Sequence, residues 1–138
     1  MASERVQRLA KAYDLWQQSK GQIVDEWLEL LEDEVDFQSI ADDLPLAPFA
    51  KPYKTREEVR QYLGGLIGEW EMIHYTVDRF VEQGDDVVMI GHTSWRNRRT
   101  GKVVNTRKVD LWQFKGDKVV SFYEMLDTWK IASCCMPD

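Results

Sequence analysis

Cysteine, proline and long apolar runs are scarce in this sequence of 138 residues. It contains two cysteines and four prolines, which argues against a disulfide-stapled miniature and against a collagen-like chain. No stretch approaches the roughly 18–20 apolar residues that span a bilayer, and the first eleven residues mix charged and apolar positions, unlike a signal peptide. We therefore expect a cytoplasmic protein with no membrane partner.

Positive charge is also in short supply. Eighteen lysines and arginines stand against 24 aspartates and glutamates, which gives a net charge of -6. Because nucleic-acid-binding proteins neutralise phosphates with clustered basic residues, this balance argues against a nucleic acid partner. One basic cluster straddles a predicted hairpin, and we expect it to be a solvated turn: Arg96, Arg98, Arg99 and Lys102.

Sequence motifs for cofactors are missing as well. We find no phosphate-binding loop, dinucleotide fingerprint, zinc-ligand spacing or nucleophile elbow. The sequence thus predicts no cofactor and no metal site.

Periodic apolar residues predict three helices in the first half of the chain. They recur every three or four positions over 6–16, 24–31 and 59–70, which is the spacing of one helix face. Thr55 and Glu58 form a capping box before the third helix. The third helix also contains Gly64, Gly65 and Gly68, which lower helix propensity and predict that another group approaches its backbone closely. A short strand at 35–39 and a proline-containing loop at 41–54 are expected between the second and third helices.

The second half of the chain has the pattern of a β-meander. Four runs rich in β-branched and aromatic residues, at about 72–83, 86–97, 102–115 and 118–129, are separated by short polar turns. Helices followed by such a meander predict an α+β fold in which a strongly curved antiparallel sheet wraps around three N-terminal helices. We expect a single domain over 1–138, with a core at about 4–130 and a loose C-terminal tail at 131–138 that contains Cys134 and Cys135.

Two segments carry a family resemblance. The run 112–120 (WQFKGDKVV) and the closing run 124–128 (EMLDT), together with the order of the elements, resemble the nuclear transport factor 2-like (NTF2-like) superfamily, in particular its SnoaL-like polyketide cyclase and ketosteroid isomerase branch. The resemblance implies a cone-shaped fold around one apolar pocket. It also implies a homodimer through the outer sheet face, where an apolar patch is expected at Val109, Leu111, Tyr123 and Met125.

Strand alternation assigns side chains to the pocket. Successive strand residues point to opposite faces, and in the family register the inward-facing residues of the last two strands are Lys108, Asp110, Trp112, Phe122, Glu124 and Leu126. Apolar neighbours would raise the pKa of the Glu124 carboxyl toward values useful for acid–base chemistry. The alternative for Glu124 is a structural ion pair with Lys108. Asp127 has the opposite orientation, so only one of the two acids is expected in the pocket, and we favour Glu124.

Tyr13 and Asp110 resemble in position the two oxyanion-hole donors of ketosteroid isomerase, where a phenol and a protonated acid hold a developing enolate. The isomerase's general-base position falls near Ser39, which argues against steroid isomerisation. Asp36 and Asp42 are nearby alternatives for that base. For Tyr13 itself, an ordinary role in the core is the competing interpretation.

His74 resembles in position a catalytic histidine of scytalone dehydratase, and an imidazole exchanges protons near neutral pH. The competing interpretation is a structural histidine. A limonene epoxide hydrolase constellation is absent, because its paired arginine and aspartate would fall near Gly91 and Thr93. Trp27 and Trp95, with Trp112, are expected to line the cavity and to favour an apolar or aromatic ligand.

These observations predict a cofactor-independent isomerase, cyclase or dehydratase that acts on an apolar carbonyl compound. His74 would move the proton, Tyr13 and Asp110 would donate to the oxygen, and Glu124 would relay the proton. The first alternative is a non-catalytic module that binds a lipophilic small molecule in the same pocket. The second is assembly through the outer sheet face alone.

Overall fold

A computed structural model describes residues 2–44 and 51–138, and it confirms the α+β class. The predicted loop at 41–54 falls partly on residues 45–50, which lie outside the described residues. A short 3-10 helix covers Ile40–Asp43. The other elements in chain order are α1 (Glu4–Gln18), α2 (Asp25–Leu30), β1 (Leu31–Ser39), β2 (Tyr53–Thr55), α3 (Arg56–Glu69), β3 (Trp70–Gln83), β4 (Asp86–Asn97), β5 (Val103–Lys115), β6 (Lys118–Leu126) and α4 (Thr128–Cys135).

The six strands form one curved open sheet in the order β2-β1-β6-β5-β4-β3. Strands β3 to β6 are the predicted antiparallel meander. Strand β1 joins its edge parallel to β6, with Ser39 opposite Glu124, so the sheet is not entirely antiparallel. This parallel pairing extends the sheet beyond the meander and brings the end of β1 beside the C-terminal part of β6.

Helix termini follow the local sequence signals. The Ser3 hydroxyl accepts a hydrogen bond from the Val6 backbone N–H at the start of α1. At the start of α3, Thr55 and Glu58 form the predicted capping box, in which each side chain bonds the other's backbone. Both helices bury an apolar face against the sheet. Leu9 on α1 and Val59 on α3 belong to these faces and are at most 1% exposed. Burial of these faces, rather than intrinsic propensity, holds the helices in place.

Two boundaries differ from the sequence predictions. Helix α2 ends at Leu30, and β1 begins at Leu31, four residues before the predicted strand at 35–39. The last predicted strand stops at Leu126 because Asp127 is the N-cap of α4, accepting a hydrogen bond from the Lys130 N–H. An Asp side chain that satisfies a free helical N–H favours a helix start at this point.

The prediction of a loose tail from residue 131 is wrong for the part that forms α4. Ile131, Cys134 and Cys135 are each at most 6% exposed, and the helix packs against β5. The apolar spacing of these three residues gives the segment one buried face. The two thiols are therefore buried in a helix, and burial raises the pKa of both.

The basic cluster after β4 is also more structured than a solvated turn. Thr100 Oγ1 donates to the Cys134 carbonyl, Arg99 donates to the Cys135 carbonyl, and Lys102 Nζ donates to the Met136 carbonyl, at 2.6–2.7 Å. The last carbonyls of a helix have no partner within the helix and carry partial negative charge. The turn residues thus cap the C-terminal end of α4.

Gly91 on β4 is required by close approach of β3. A Cβ at position 91 would overlap the Thr76 carbonyl oxygen and lie 2.9 Å from Met89 Sδ. We expect Gly91→Ala to lower the free energy of unfolding by roughly 1–3 kcal/mol, as overpacking does, measured by urea denaturation.

The glycines of α3 supply the matched control. A Cβ at Gly65 meets no atom of residues 2–44 or 51–138 within 4 Å, and the same holds at Gly64 and Gly68, so the described residues do not make the predicted close approach to this helix. We expect Gly65→Ala to raise the free energy of unfolding by roughly 0.5–1 kcal/mol. Equal effects of the two substitutions would contradict the role assigned to Gly91.

Within residues 2–44 and 51–138, no helix combines the length and the apolar character needed to cross a membrane.

Candidate functional site

A cavity of about 90 Å³ lies between the helices and the inner face of the sheet. Helices α1, α2, α3 and α4 each contribute to its wall. The cavity is lined by nine of the ten site residues proposed from the sequence: Tyr13, Trp27, Trp95, Lys108, Asp110, Trp112, Phe122, Glu124 and Leu126.

The alternation of β5 and β6 builds the polar part of the wall. On β5, Lys108, Asp110 and Trp112 point inward, and on β6 the inward residues flank and include Glu124. Asp110 and Glu124 lie opposite each other across the two strands. The sheet register therefore brings one ammonium and two carboxyl groups together among aromatic rings.

Aromatic side chains supply much of the remaining surface. The Trp27 and Trp112 rings stack with centroids 5.2 Å apart and planes 5° from parallel. Phe122 lies 4.5 Å from the Trp112 ring. Lys108 Nζ lies 5.1 Å from the Tyr75 centroid and 5.9 Å from that of Phe122, within range of a cation–π interaction. The rings thus stabilise the buried ammonium and leave flat apolar surfaces beside it.

Three donors converge on a single oxygen of Asp110. Its Oδ2 accepts hydrogen bonds from Tyr13 Oη at 2.5 Å, Tyr75 Oη at 3.3 Å and Lys108 Nζ at 3.4 Å. Lys108 Nζ also donates to Tyr75 Oη at 2.7 Å. A carboxyl oxygen that receives three donors is acting as an acceptor. Asp110 therefore orders the two phenols and the ammonium around itself.

This network corrects the oxyanion-hole expectation for Tyr13. The single phenolic proton of Tyr13 is given to Asp110, and its oxygen accepts from Trp112 Nε1 at 2.8 Å. Tyr13 and Asp110 are thus bonded to each other and do not present two donors to one ligand oxygen. Burial and the neighbouring Asp110 raise the pKa of the Tyr13 phenol well above its usual value, so the phenol stays protonated.

The prediction that His74 faces the pocket is wrong. The pairing of β3 with β4 shifts between Met72 and His74, so the bulge moves the next inward residue to Tyr75, which is 5% exposed. The His74 ring lies 5.4 Å from the ring of the exposed His92. His92 Nδ1 in turn lies 3.2 Å from Asp78 Oδ2. The two histidines therefore share the outer face of the sheet, away from the cavity.

The other acids considered near the pocket lie elsewhere. Ser39 accepts a hydrogen bond from the Ala41 N–H. Asp36 is exposed and paired with Lys54 at 2.5 Å, and Asp42 is exposed. Asp127 caps α4. Of the acids weighed as proton carriers, Glu124 is the one that faces the cavity.

Glu124 combines burial with a distant counter-ion. Its Oε2 lies 4.0 Å from Lys108 Nζ, and no hydrogen bond to its carboxyl group is found within the described part of the chain. Burial raises the pKa of this carboxyl, Lys108 opposes the rise, and Asp110 adds to it. Burial lowers the pKa of Lys108, but Asp110, Tyr75 and Glu124 outweigh burial and raise it. The ammonium therefore stays charged.

The raised pKa of Glu124 predicts a pH-dependent stability difference. Because the folded pKa lies above the unfolded value near 4.5, folding favours the protonated acid, and stability is lost as the pH rises through the folded pKa. Glu124→Gln removes this loss. We expect the variant to have a higher Tm than wild type at pH 8, by about 4–5 °C for each unit of pKa shift, and an equal Tm near pH 4.

Thermal unfolding followed by circular dichroism between pH 4 and pH 9 measures this difference. A Glu124→Gln variant that is less stable than wild type at pH 8 would show that the carboxylate is held by a favourable ion pair with Lys108.

Sequence reasoning missed Tyr75. Its hydroxyl joins Lys108 to Asp110, but simple alternation from Met72 places Tyr75 on the outer face. The β-bulge that reverses its orientation has no glycine or proline signal in the run MIHYT. The pairing of β3 with β4 is therefore the information that reveals this residue.

The chain has the α+β fold of NTF2-like proteins, with a cavity between its helices and its sheet. The model of the SnoaL-like domain family matches residues 9–122, and the chain belongs to this family. No curated protein sequence matches the chain.

Solved structures support the same fold. The chain is similar to an NTF2-like protein from Burkholderia pseudomallei, with 18% identity, a TM-score of 0.84, and coverage of 98% of this chain and 99% of that one. TerC, co-crystallised with polyporic acid, has 16% identity, a TM-score of 0.81, and coverage of 96% and 98%. A candidate SnoaL-like polyketide cyclase from Jannaschia has 13% identity, a TM-score of 0.77, and coverage of 98% and 96%.

Proposed function

We propose that this protein is a cofactor-independent isomerase or cyclase that transfers a proton within an apolar carbonyl substrate, with Glu124 as the base. The observation that carries the proposal is the position of Glu124, which is buried on the cavity wall 4.0 Å from Lys108. A carboxylate whose pKa is raised by burial is a stronger base than an exposed one. The SnoaL-like family suggests the class of reaction, and the cavity residues of this chain suggest which group acts as base and which as hydrogen-bond donor.

The reaction begins with removal of a proton from the carbon next to the substrate carbonyl. The C–H pair of electrons moves to form the enolate, and the proton goes to the Glu124 carboxylate. Lys108 carries three N–H donors and uses two on Tyr75 and Asp110, so its third N–H is assigned to the developing oxyanion. A positioned charged donor of this kind stabilises the transition state.

The second half-reaction returns the proton. In an isomerisation, protonated Glu124 gives the proton to a different carbon of the enolate. In a cyclisation, the enolate carbon attacks a second carbonyl group of the same molecule, and Glu124 protonates the resulting alkoxide. Both routes restore the Glu124 carboxylate.

Exchange of carbon-bound hydrogen tests this proposal without the natural substrate. Incubation of 2-tetralone with the protein in D₂O should accelerate deuterium uptake at C1 above the buffer rate, followed by proton NMR. Unchanged uptake across a panel of bicyclic ketones that bind to the protein would overturn the catalytic proposal.

A second candidate is a binding module for lipophilic small molecules. It is favoured by the position of His74 outside the cavity and by the hydrogen bonds of the Tyr13 hydroxyl to Asp110 and Trp112, which leave that hydroxyl no proton for a ligand. Retention of ligand binding without any proton exchange identifies this function. The bound polyporic acid of TerC supports an aromatic ligand for either candidate.

We further propose that the protein is a homodimer through the outer sheet face. Val109 pairs with Met125 and Leu111 with Tyr123 on this face, and all four are at least partly exposed, with Met125 at 39%. Contiguous apolar side chains on a sheet surface are characteristic of an interface.

Leu111→Glu should convert the dimer to a monomer at micromolar concentration, because it places a charge in the centre of the apolar patch. Light scattering measures the mass. Ile23→Glu, at an exposed isoleucine in the loop between α1 and α2, is the matched control and should remain dimeric. A monomeric wild-type protein refutes the interface.

A further inference from the structure

The second carboxyl oxygen of Asp110 lacks a hydrogen bond. Asp110 is 1% exposed, and its Oδ1 has no donor within hydrogen-bond geometry among the described residues. Lys108 Nζ forms an ion pair with Oδ1 at 3.3 Å but lies outside hydrogen-bond geometry there, and its hydrogen bonds are made to Tyr75 Oη and to Oδ2. A buried acceptor without a donor is costly in free energy, and such an atom on a cavity wall points to a ligand that supplies the donor.

We infer that Asp110 selects ligands bearing a hydroxyl group on an aromatic ring, with the O–H donating to Asp110 Oδ1. The inference rests on the proposed function in using the same cavity, but it requires no catalysis. Asp110 thereby becomes a specificity-determining residue that accepts a hydrogen bond from the ligand. The resemblance to ketosteroid isomerase implied instead that it donates one.

A hydroxyl group suits Asp110 Oδ1 better than a carbonyl oxygen does. Tyr13, Tyr75 and Lys108 each donate a hydrogen bond to Oδ2, whereas Oδ1 has only its ion-pair contact with Lys108 and remains a hydrogen-bond acceptor. A ligand carbonyl placed there would bring two acceptors together without a proton. A hydroxyl group satisfies Oδ1 and also brings its oxygen close to the Lys108 ammonium.

The aromatic part of the ligand follows from the neighbours of Asp110. Trp112 is two residues along the same strand, and its ring contacts those of Trp27 and Phe122. Flat rings of this kind favour stacking with a flat ligand. Because Glu124 is opposite Asp110 across the strands, a ring held by its hydroxyl at Asp110 lies beside the proposed base.

Two probes of similar size separate the hydroxyl contribution from apolar burial: 2-naphthol, which has a donor, and 2-fluoronaphthalene, which has none. Equilibrium dialysis against the wild-type protein gives both dissociation constants. We expect 2-naphthol to bind roughly 10- to 100-fold more tightly, the range for a hydrogen bond to a charged group. Equal affinities, or no binding of 2-naphthol, would overturn the inference without the need for any variant.

Asp110→Asn tests the residue directly. The amide oxygen replaces Oδ2 as the acceptor for the two tyrosines, and the amide N–H group replaces Oδ1. The preference for 2-naphthol should therefore fall to about onefold or reverse, and its persistence would contradict the inference. Asp36→Asn makes the same chemical change at an exposed carboxylate and should preserve the wild-type ratio.

The outcomes also distinguish this inference from the proposed function. A wild-type preference for 2-naphthol with no deuterium exchange supports the hydroxyl subsite and refutes the enzyme. Exchange activity with equal affinities for the two naphthalenes supports the enzyme and refutes the subsite.

Discussion

Replacing Glu124 with glutamine should lower the protein-catalysed rate of deuterium uptake by 2-tetralone by about 10²- to 10⁴-fold, the usual contribution of a positioned general base. Glutamine has nearly the same shape but cannot accept the proton. The wild-type kcat/KM should rise with pH through the raised pKa of Glu124, because the carboxylate is the reactive form. The variant should show no such rise.

Asp127→Asn is the matched control for this substitution. Asp127 lies three residues further along the chain, is exposed and caps α4, a role that asparagine also performs well. Its exchange rate and pH profile should equal those of wild type. A Glu124→Gln variant with wild-type activity, or an inactive Asp127→Asn variant, would contradict the assignment of Glu124 as the general base.

The inward positions of β5 and β6 could be predicted from the sequence because they depend on a local rule. A strand of regular pleat alternates its side chains, so Lys108, Asp110 and Trp112 share a face once β5 is recognised. The α+β class was equally accessible, since α1, α2 and α3 precede the four strands of the meander. The family resemblance added the direction in which that shared face points.

The errors arise where long-range pairing overrides local rules. The bulge before His74 depends on how β3 pairs with β4, and it exchanges the orientations of His74 and Tyr75. The bond between Tyr13 and Asp110 joins residues 97 positions apart, so the sequence could suggest their proximity but not that they would bond to each other. Helix α4 was missed because its stabilising contacts come from the Arg99–Lys102 turn.

Replacing Lys108 with methionine should destabilise the protein by about 3–5 kcal/mol, the usual effect of removing one partner from a buried ion pair. The Lys108 side chain is 13% exposed and that of Asp110 1%. Methionine keeps much of the aliphatic volume but leaves the Asp110 charge without its cation and removes the donor to Tyr75 Oη. Urea denaturation at neutral pH measures the difference in unfolding free energy.

Two further variants determine whether charge is the cause. Lys54→Met removes an exposed lysine from its pair with Asp36, whose side chains are 64% and 54% exposed, and should change stability by less than about 1 kcal/mol. Lys108→Met combined with Asp110→Asn removes both charges of the Lys108–Asp110 pair and retains an acceptor for the tyrosines, so it should recover most of the lost stability. If the double variant recovers none of it, Lys108 stabilises the fold through packing and not through its charge.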